Sequence, residues 1–209
     1  MFRSIPPPDH DIILFDRWRK KADDGWTCPW MSEVETATLC HYAELSGGNI
    51  VEIGCNQGYT TAALAANNPT RKVYGIDCSN SAKLMVAQQR TEHPKAIGRE
   101  ARIFPNVTLI DVNSALLDYA RLEDVRFVFI DGGHHYDQVK IDSKKALAHL
   151  RSKTGGYVFW HDYGRKLEWI GVDDVLTEIV HPTVEVSVIK GTSLAFVHLE
   201  AEKGPLRWF

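Results

Sequence analysis

Residues 49–68 read NIVEIGCNQGYTTAALAANN. Asn49 to Gly54 form a short β-branched run that ends in glycine, the pattern of a buried strand. The alanine-rich YTTAALAANN favours helix until Asn67, Asn68 and Pro69 stop it. Between the two lies a turn bracketed by Gly54 and Gly58. Strand, tight turn and helix in that order open an α/β pattern.

The alternation continues outward from this unit. KVYGID ends a second strand at Asp77, SAKLMVAQQRTEH reads as a helix with Pro94 beyond it, and NVTLIDV is a third strand, followed by a short helix from Ala115 to Arg121. RFVFID is a strand of the fully buried kind. YDQVKIDSKKALAHLRSK is an amphipathic helix with Val139, Ala146, Leu147 and Leu150 on one side, and GGYVFWHD opens a fifth strand. After a helix at GVDDVLTEIV, the runs TVEVSVIK and SLAFVHLE are split only by Gly191 and Thr192 and read as a hairpin. The expected fold is α/β: a Rossmann-like, seven-stranded, mostly parallel sheet closed by an antiparallel terminal hairpin, with helices on both faces. Residues 1–209 are read as a single domain, with an N-terminal cap of loop and helix at 1–45, the core at 46–200 and a tail at 201–209.

Composition sets the company such a domain keeps. At 209 residues and 44% hydrophobic, the chain suffices for one sizeable core and not for two. Its 24 basic and 27 acidic residues contain no basic block to follow a phosphate backbone, so nucleic acid is not the expected partner. Cys28, Cys40, Cys55 and Cys78 form no CxxC pair and no disulfide framework, which fits reduced thiols and a cytoplasmic location. MFRSIPPPDHDIILF lacks a signal-peptide core, and no run reaches membrane-spanning length. A small-molecule partner is expected, no membrane, and homo-oligomerisation stays open.

In open parallel sheets ligands bind outside the carboxyl ends of the strands, so the chemistry is sought there. Gly54 and Gly58 allow backbone amides to approach a ligand, but Asn56 stands where a GxGxxG dinucleotide fingerprint has its middle glycine. Glu52 adds a carboxylate just before the turn, which suits a cationic ligand better than a pyrophosphate. S-adenosylmethionine, with its sulfonium and ammonium, is such a ligand. Asp77 is placed to accept from two ribose hydroxyls, which fits that cofactor and NAD equally. An NAD-dependent oxidoreductase therefore remains an alternative, as does a non-catalytic interaction module of the same architecture.

VEIGCNQGYTT, VYGID, FVFIDGGHHYDQVKIDSKKAL and GGYVFWHDY, in this order and spacing, resemble the class I S-adenosylmethionine-dependent methyltransferases. More narrowly they are similar to the subfamily with IDGxHxY and HD strand ends, related to the sugar and macrolide O-methyltransferases. The resemblance extends from about Trp30 to Leu199, with WMSEVETATL as the helix before the sheet and GTSLAFVHL as the closing hairpin. It implies that Glu52, Gly54 and Gly58 frame the methionine end of the cofactor, that Asp77 holds its ribose, and that Asp131 borders it. Asn113 falls where many members carry an acid near the adenine. It also implies O-methylation of a small-molecule or sugar hydroxyl.

The strand ends IDGGHHYD and WHDY bring Asp131, His134, His161 and Asp162 toward one mouth. Two readings are open there. Asp131, His161 and Asp162 form a candidate site for a divalent ion, magnesium or manganese, that would polarise the acceptor hydroxyl. In the related enzymes three acids bind magnesium at these strand ends, and His161 replaces one of them, which shifts preference toward softer metals. The metal-free reading makes His134 or His161 the general base, since an ordinary imidazole titrates near neutrality. His135 and Asp137 are surface or capping positions, Cys55 and Cys78 small packing residues. Trp26, Trp30, Met31 and the loop YGRKLEWIG are candidates for the acceptor pocket or for an aromatic cap over the core.

Overall fold

The structure is a computed structural model that describes residues 2–9, 31–78, 97–181 and 184–202. The expected helix at 81–93, Trp26, Trp30, Cys28 and most of the tail lie outside these residues.

Among the described residues the strands are β1 (Arg3–Ile5), β2 (Asn49–Ile53), β3 (Val73–Asp77), β4 (Val107–Asp111), β5 (Val125–Ile130), β6 (Gly156–Trp160), β7 (Ser187–Ile189) and β8 (Ala195–Leu199). They form one sheet in the order β1-β7-β8-β6-β5-β2-β3-β4. β2 to β6 are mutually parallel, and β8 runs antiparallel between β6 and β7. The chain moves outward from β2 through β3 to β4, then returns to lay β5 on the other side of β2. That reversal creates a switch-point crevice beyond the carboxyl ends of β2 and β5.

The helices are α1 (Glu33–Ser46), α2 (Tyr59–Asn67), α3 (Tyr136–Lys153) and α4 (Val172–Val175). Alternation along the strands divides the core in two. Val51, Ile53, Val128, Ile130, Val158 and Trp160 pack with Val139, Leu147 and Leu150 of α3 and with α4. Ile50, Phe127, Phe129 and Phe159 face Leu39, Cys40 and Ala43 of α1 and Ala62 to Ala65 of α2. Each fully buried aromatic or branched side chain contributes about 1.5–3 kcal/mol, enough for the helices to stay on both faces as the periodicity predicts.

Several elements differ in detail from expectation. An eighth strand, β1, pairs with β7 through Arg3 N to Val186 O and Lys190 N to Ile5 O. It occupies the free edge of β7, and Pro6 to Pro8, which lack amide hydrogens, end it. The expected helix from Ala115 to Arg121 is instead two 3-10 turns, Ser114–Leu116 and Tyr119–Arg121. Asn113 and Asp118 each accept a backbone N–H two residues on, and these competing caps leave Leu117 and Asp118 extended. The helix at 171–180 is α4 followed by a π-helical turn, Leu176–Val180. The first strand of the hairpin shrinks to β7.

Candidate active site

The turn after β2 brings its parts together for reasons of packing as much as ligand access. Gly54 has φ 89°, and a Cβ there would overlap the Asp131 carbonyl oxygen at the end of β5. Gly58 has φ 88°, and its Cβ would meet Gly98 Cα at 2.7 Å. Only glycine meets both demands. Gly98 N donates to Asn56 O, so residues 97–100 close over this turn. Asn56, with φ 44°, takes the left-handed conformation that a GxGxxG sequence would give to glycine. The Asp77 carboxylate fixes it: Oδ2 accepts from Asn56 N and Oδ1 from Cys78 N, each at 2.6 Å.

Glu52 lies beneath the turn, 2% exposed, on the strand face that looks toward α2. Thr61 Oγ1 of α2 donates to its Oε2. Burial pushes the Glu52 carboxyl up to about 8; the Thr61 hydrogen bond opposes this, and the nearby charges of Asp131 and Asp77 add to it. Asn113, past β4, caps Ser114–Leu116 through Oδ1 and leaves its amide N–H groups for other partners. Cys55 is buried against Gly75.

The β5–β6 register pairs Ile130 with Trp160, so the next residues, Asp131 and His161, stand side by side and point to the α1 face. His161 Nδ1 is 3.1 Å from Asp131 Oδ1 and 3.4 Å from Asp162 Oδ1. Asp162 has φ 64° and turns its carboxylate toward the loops, where Oδ2 meets His134 Nε2 at 2.8 Å and Oδ1 meets Arg165 Nε at 2.9 Å. His134 Nε2 also lies 3.8 Å from Asp131 Oδ1. All four mouth residues expected from the sequence therefore converge. Beneath them a small cavity is floored by Ile130, Val139, Trp160 and Val172. His135 is the N-cap position of α3 and Asp137 lies in its first turn.

Two partners were not foreseen. Glu35, in the first turn of α1, brings Oε1 within 3.7 Å of His161 Nε2. Its signal in the sequence, SEVE, reads as an ordinary capping box, and that box is present. Arg165 sits three residues beyond Asp162 in a loop whose charge gave no indication of direction. Trp169 of the same loop is 42% exposed and stands edge-on to His134, with ring centroids 5.5 Å apart. Met31 is buried in the α1-side core rather than lining the mouth.

These contacts reset the acid–base expectation. Burial disfavours the charged imidazole of His134, but Asp131 and Asp162 outweigh it and raise the ring to about 9. Burial likewise opposes His161, and Asp131 and Glu35 raise it to about 10. Burial works against ionised Asp131, yet His134 and His161 hold it below the usual carboxylate range. The surrounding carboxylates favour the protonated form of both imidazoles, so a base role for either requires that it first give up its own proton. As for metal ligation, among the described residues Asp131, His134 and Asp162 bring their ligand atoms within 4.8 Å of one another. The imidazole of that trio comes from His134, where the sequence placed His161.

No described helix is long and apolar enough to cross a membrane. Among curated proteins none matches the chain in sequence. Solved structures share its fold at low identity. The O-methyltransferase from Bacillus cereus in complex with SAH superposes with a TM-score of 0.62 at 17% identity, over 90% of either chain. SAH-bound methyltransferase from Podospora anserina gives 0.61 at 15% identity, over 92% of this chain and 91% of its own. The TDP-rhamnose 3'-O-methyltransferase of calicheamicin biosynthesis gives 0.56 at 14% identity, over 78% and 77%. The sequence profile of a family described as a methyltransferase domain matches residues 51–163, just over half of the chain. That stretch runs from the Glu52 turn through Asp131 and His134 to Asp162, and the protein belongs to this methyltransferase family, with the Rossmann-like fold of the class I S-adenosylmethionine-dependent enzymes.

Proposed function

We propose that the protein is an S-adenosylmethionine-dependent O-methyltransferase acting on the hydroxyl of a small molecule or sugar. The observation that carries this reading is the placement of two unlike sites across one switch point: the glycine turn with Glu52 and Asp77 on β2 and β3, and the His134–Asp162 cluster beyond β5 and β6. When bound, the cofactor supplies an already activated methyl group, so alignment of acceptor oxygen, methyl carbon and sulfur accounts for most of the rate.

The chain's residues then have separable tasks. Each Asp77 oxygen already accepts one backbone N–H and keeps a lone pair for a ribose hydroxyl. Gly54 and Gly58 shape the turn that borders the methionine end, Glu52 lies beneath it as a buried carboxyl that a cationic cofactor favours in its ionised form, and Asn113 borders the adenine. Asp131 separates the two sites. His134, more open to the mouth than His161, takes the acceptor proton once it has released its own, while Asp162 orients the ring. His161 stays charged and holds Asp131.

A second reading has its own support in the grouping of Asp131, His134 and Asp162. Two carboxylates and an imidazole fit a divalent ion such as manganese better than magnesium, and the ion would supply a Lewis acid for the acceptor hydroxyl. Calorimetry with S-adenosylmethionine tests the main proposal. Binding is expected in the presence of chelator, weakened by Asp77→Ala, with no binding of NADH; absence of S-adenosylmethionine binding overturns it. Methyl transfer abolished by chelator and restored by manganese favours the metal reading instead.

A further inference from the structure

Glu35 is buried, with 5% of its surface exposed, and lies some hundred residues before the strand ends it serves. Oε2 accepts from Ser32 N and Ser32 Oγ at 2.8 Å, completing the cap of α1. Capping engages only that oxygen. Oε1 accepts from Ser193 N and Ser193 Oγ in the turn between β7 and β8, each at 2.8 Å, and faces His161 Nε2 at 3.7 Å. On the other side of the ring, Nδ1 faces Asp131 at 3.1 Å. His161 Nε2 is itself buried and has no hydrogen-bond partner among the described residues. Ser193 O accepts from Tyr163 N, which ties the same turn to the residue after Asp162.

We propose that Glu35 is a positioning residue for the acceptor mouth: it clamps the His161 ring from the side opposite Asp131 and locks the β7–β8 turn to the end of β6. A capping glutamate at an exposed helix start needs only its local serine. Here the second oxygen is sequestered from water and shared between a hairpin turn and an imidazole, so one α1 side chain meets both the β7–β8 turn and the end of β6. With the clamp in place the ring has one orientation, and Asp131 with Asp162 keeps one arrangement toward the acceptor. Removing it takes away the carboxylate that faces Nε2 and lets the ring turn about its side-chain torsion, so the mouth loses definition while the cofactor turn, built from β2, β3 and α2, is untouched. This inference rests on the reading of the Asp131–Asp162 mouth as the acceptor site.

The test uses the full-length protein, isotope-labelled, at one fixed pH. The Hε1–Cε1 cross-peak of His161 is recorded in wild type, Glu35→Gln and Glu35→Ala, with S-adenosylmethionine affinity and melting temperature measured on the same samples. A single sharp wild-type peak is expected. In Glu35→Ala the peak moves and broadens or splits. Glu35→Gln keeps an oxygen that can face Nε2 and Ser193, so one sharp peak returns, displaced because a neutral oxygen replaces a charged one. S-adenosylmethionine affinity stays within about twofold in both variants. A His161 peak at the wild-type position in Glu35→Gln overturns the proposal, and that outcome decides even if Glu35→Ala does not fold. So does loss of cofactor affinity in step with melting temperature in both variants, which would make Glu35 a helix cap and no more. Failure of the wild-type protein to bind S-adenosylmethionine counts against the proposed function, not against the clamp.

Discussion

Replacing Glu52 with glutamine should stabilise the protein, and increasingly so as pH rises. The buried carboxyl is raised from its ordinary 4.5 to about 8. The charges facing it are Asp131 and Asp77, both acidic, while Thr61 donates the hydrogen bond and the Cys55 thiol is close enough to feel its charge. Below the unfolded value both states hold the proton and Glu52 contributes nothing to the pH dependence. Between that value and about 8 the unfolded chain has lost the proton and the native state keeps it, so stability falls with pH by up to about 1.4 kcal/mol per unit. Above the folded value both are ionised and the loss is constant. At pH 7 the accumulated cost is roughly 3 kcal/mol as an upper figure, since 2.5 units separate 7 from 4.5. Glutamine mimics the protonated acid, keeps an oxygen for Thr61 and cannot ionise. The variant should match wild type near pH 4.5 and exceed it above that pH, with a melting temperature higher by roughly 6–12 °C at pH 7 for a chain of this size. Urea unfolding of both proteins across pH 5 to 8.5 measures the difference, and other titrating groups cancel because both proteins share them. A constant offset at every pH, or a variant less stable than wild type at pH 8, refutes the reasoning that burial governs this carboxyl.

Gly54→Ala should cost about 3 kcal/mol or more, read from urea unfolding, because it combines a φ of 89° with overlap of the Asp131 carbonyl; a loss below 1 kcal/mol would mean β2 and β5 separate more easily than their pairing implies. If His134 is the base, kcat/KM for S-adenosylmethionine should rise about tenfold per pH unit below about 9 and level off above it, since only the deprotonated ring accepts a proton and this ratio reports the enzyme before the cofactor's charge arrives. A ratio independent of pH between 7 and 9 would exclude that role for His134.

The features legible in the sequence were those with local causes. NIVEIGCNQGYTT carried its strand, turn and helix in consecutive residues, and α3 begins and ends where its apolar side and flanking glycines place it. Convergence of Asp131, His134, His161 and Asp162 was also legible, because neighbouring parallel strands that end alike deliver their next residues to one place. β1 was not: three residues are too few to show a period, and their strand state depends on the free edge of β7. Glu35 escaped for a different reason. Its capping box is complete as a local motif, and only the fold reveals that its other oxygen reaches Ser193 and His161. The imidazole protonation was hidden too, since it depends on how many carboxylates surround each ring.

That surrounding charge bears on how the two sites communicate. Asp131, Asp162 and Glu35 are interleaved with His134, His161 and Arg165, so the mouth is close to electrically neutral before any ligand arrives. A cationic cofactor beside it adds a positive charge that a neutral cluster does not compensate, and a group nearby should therefore shed a proton. Glu52, whose carboxyl is pushed up by burial, lies beneath the turn where the positive charge is proposed to sit. The proton of His134 is disfavoured by the same approaching charge. If His134 is the base of the proposed reaction, a cationic cofactor beside the cluster favours the deprotonated ring that can accept the acceptor's proton. His161, clamped between Asp131 and Glu35, is held back from the same change.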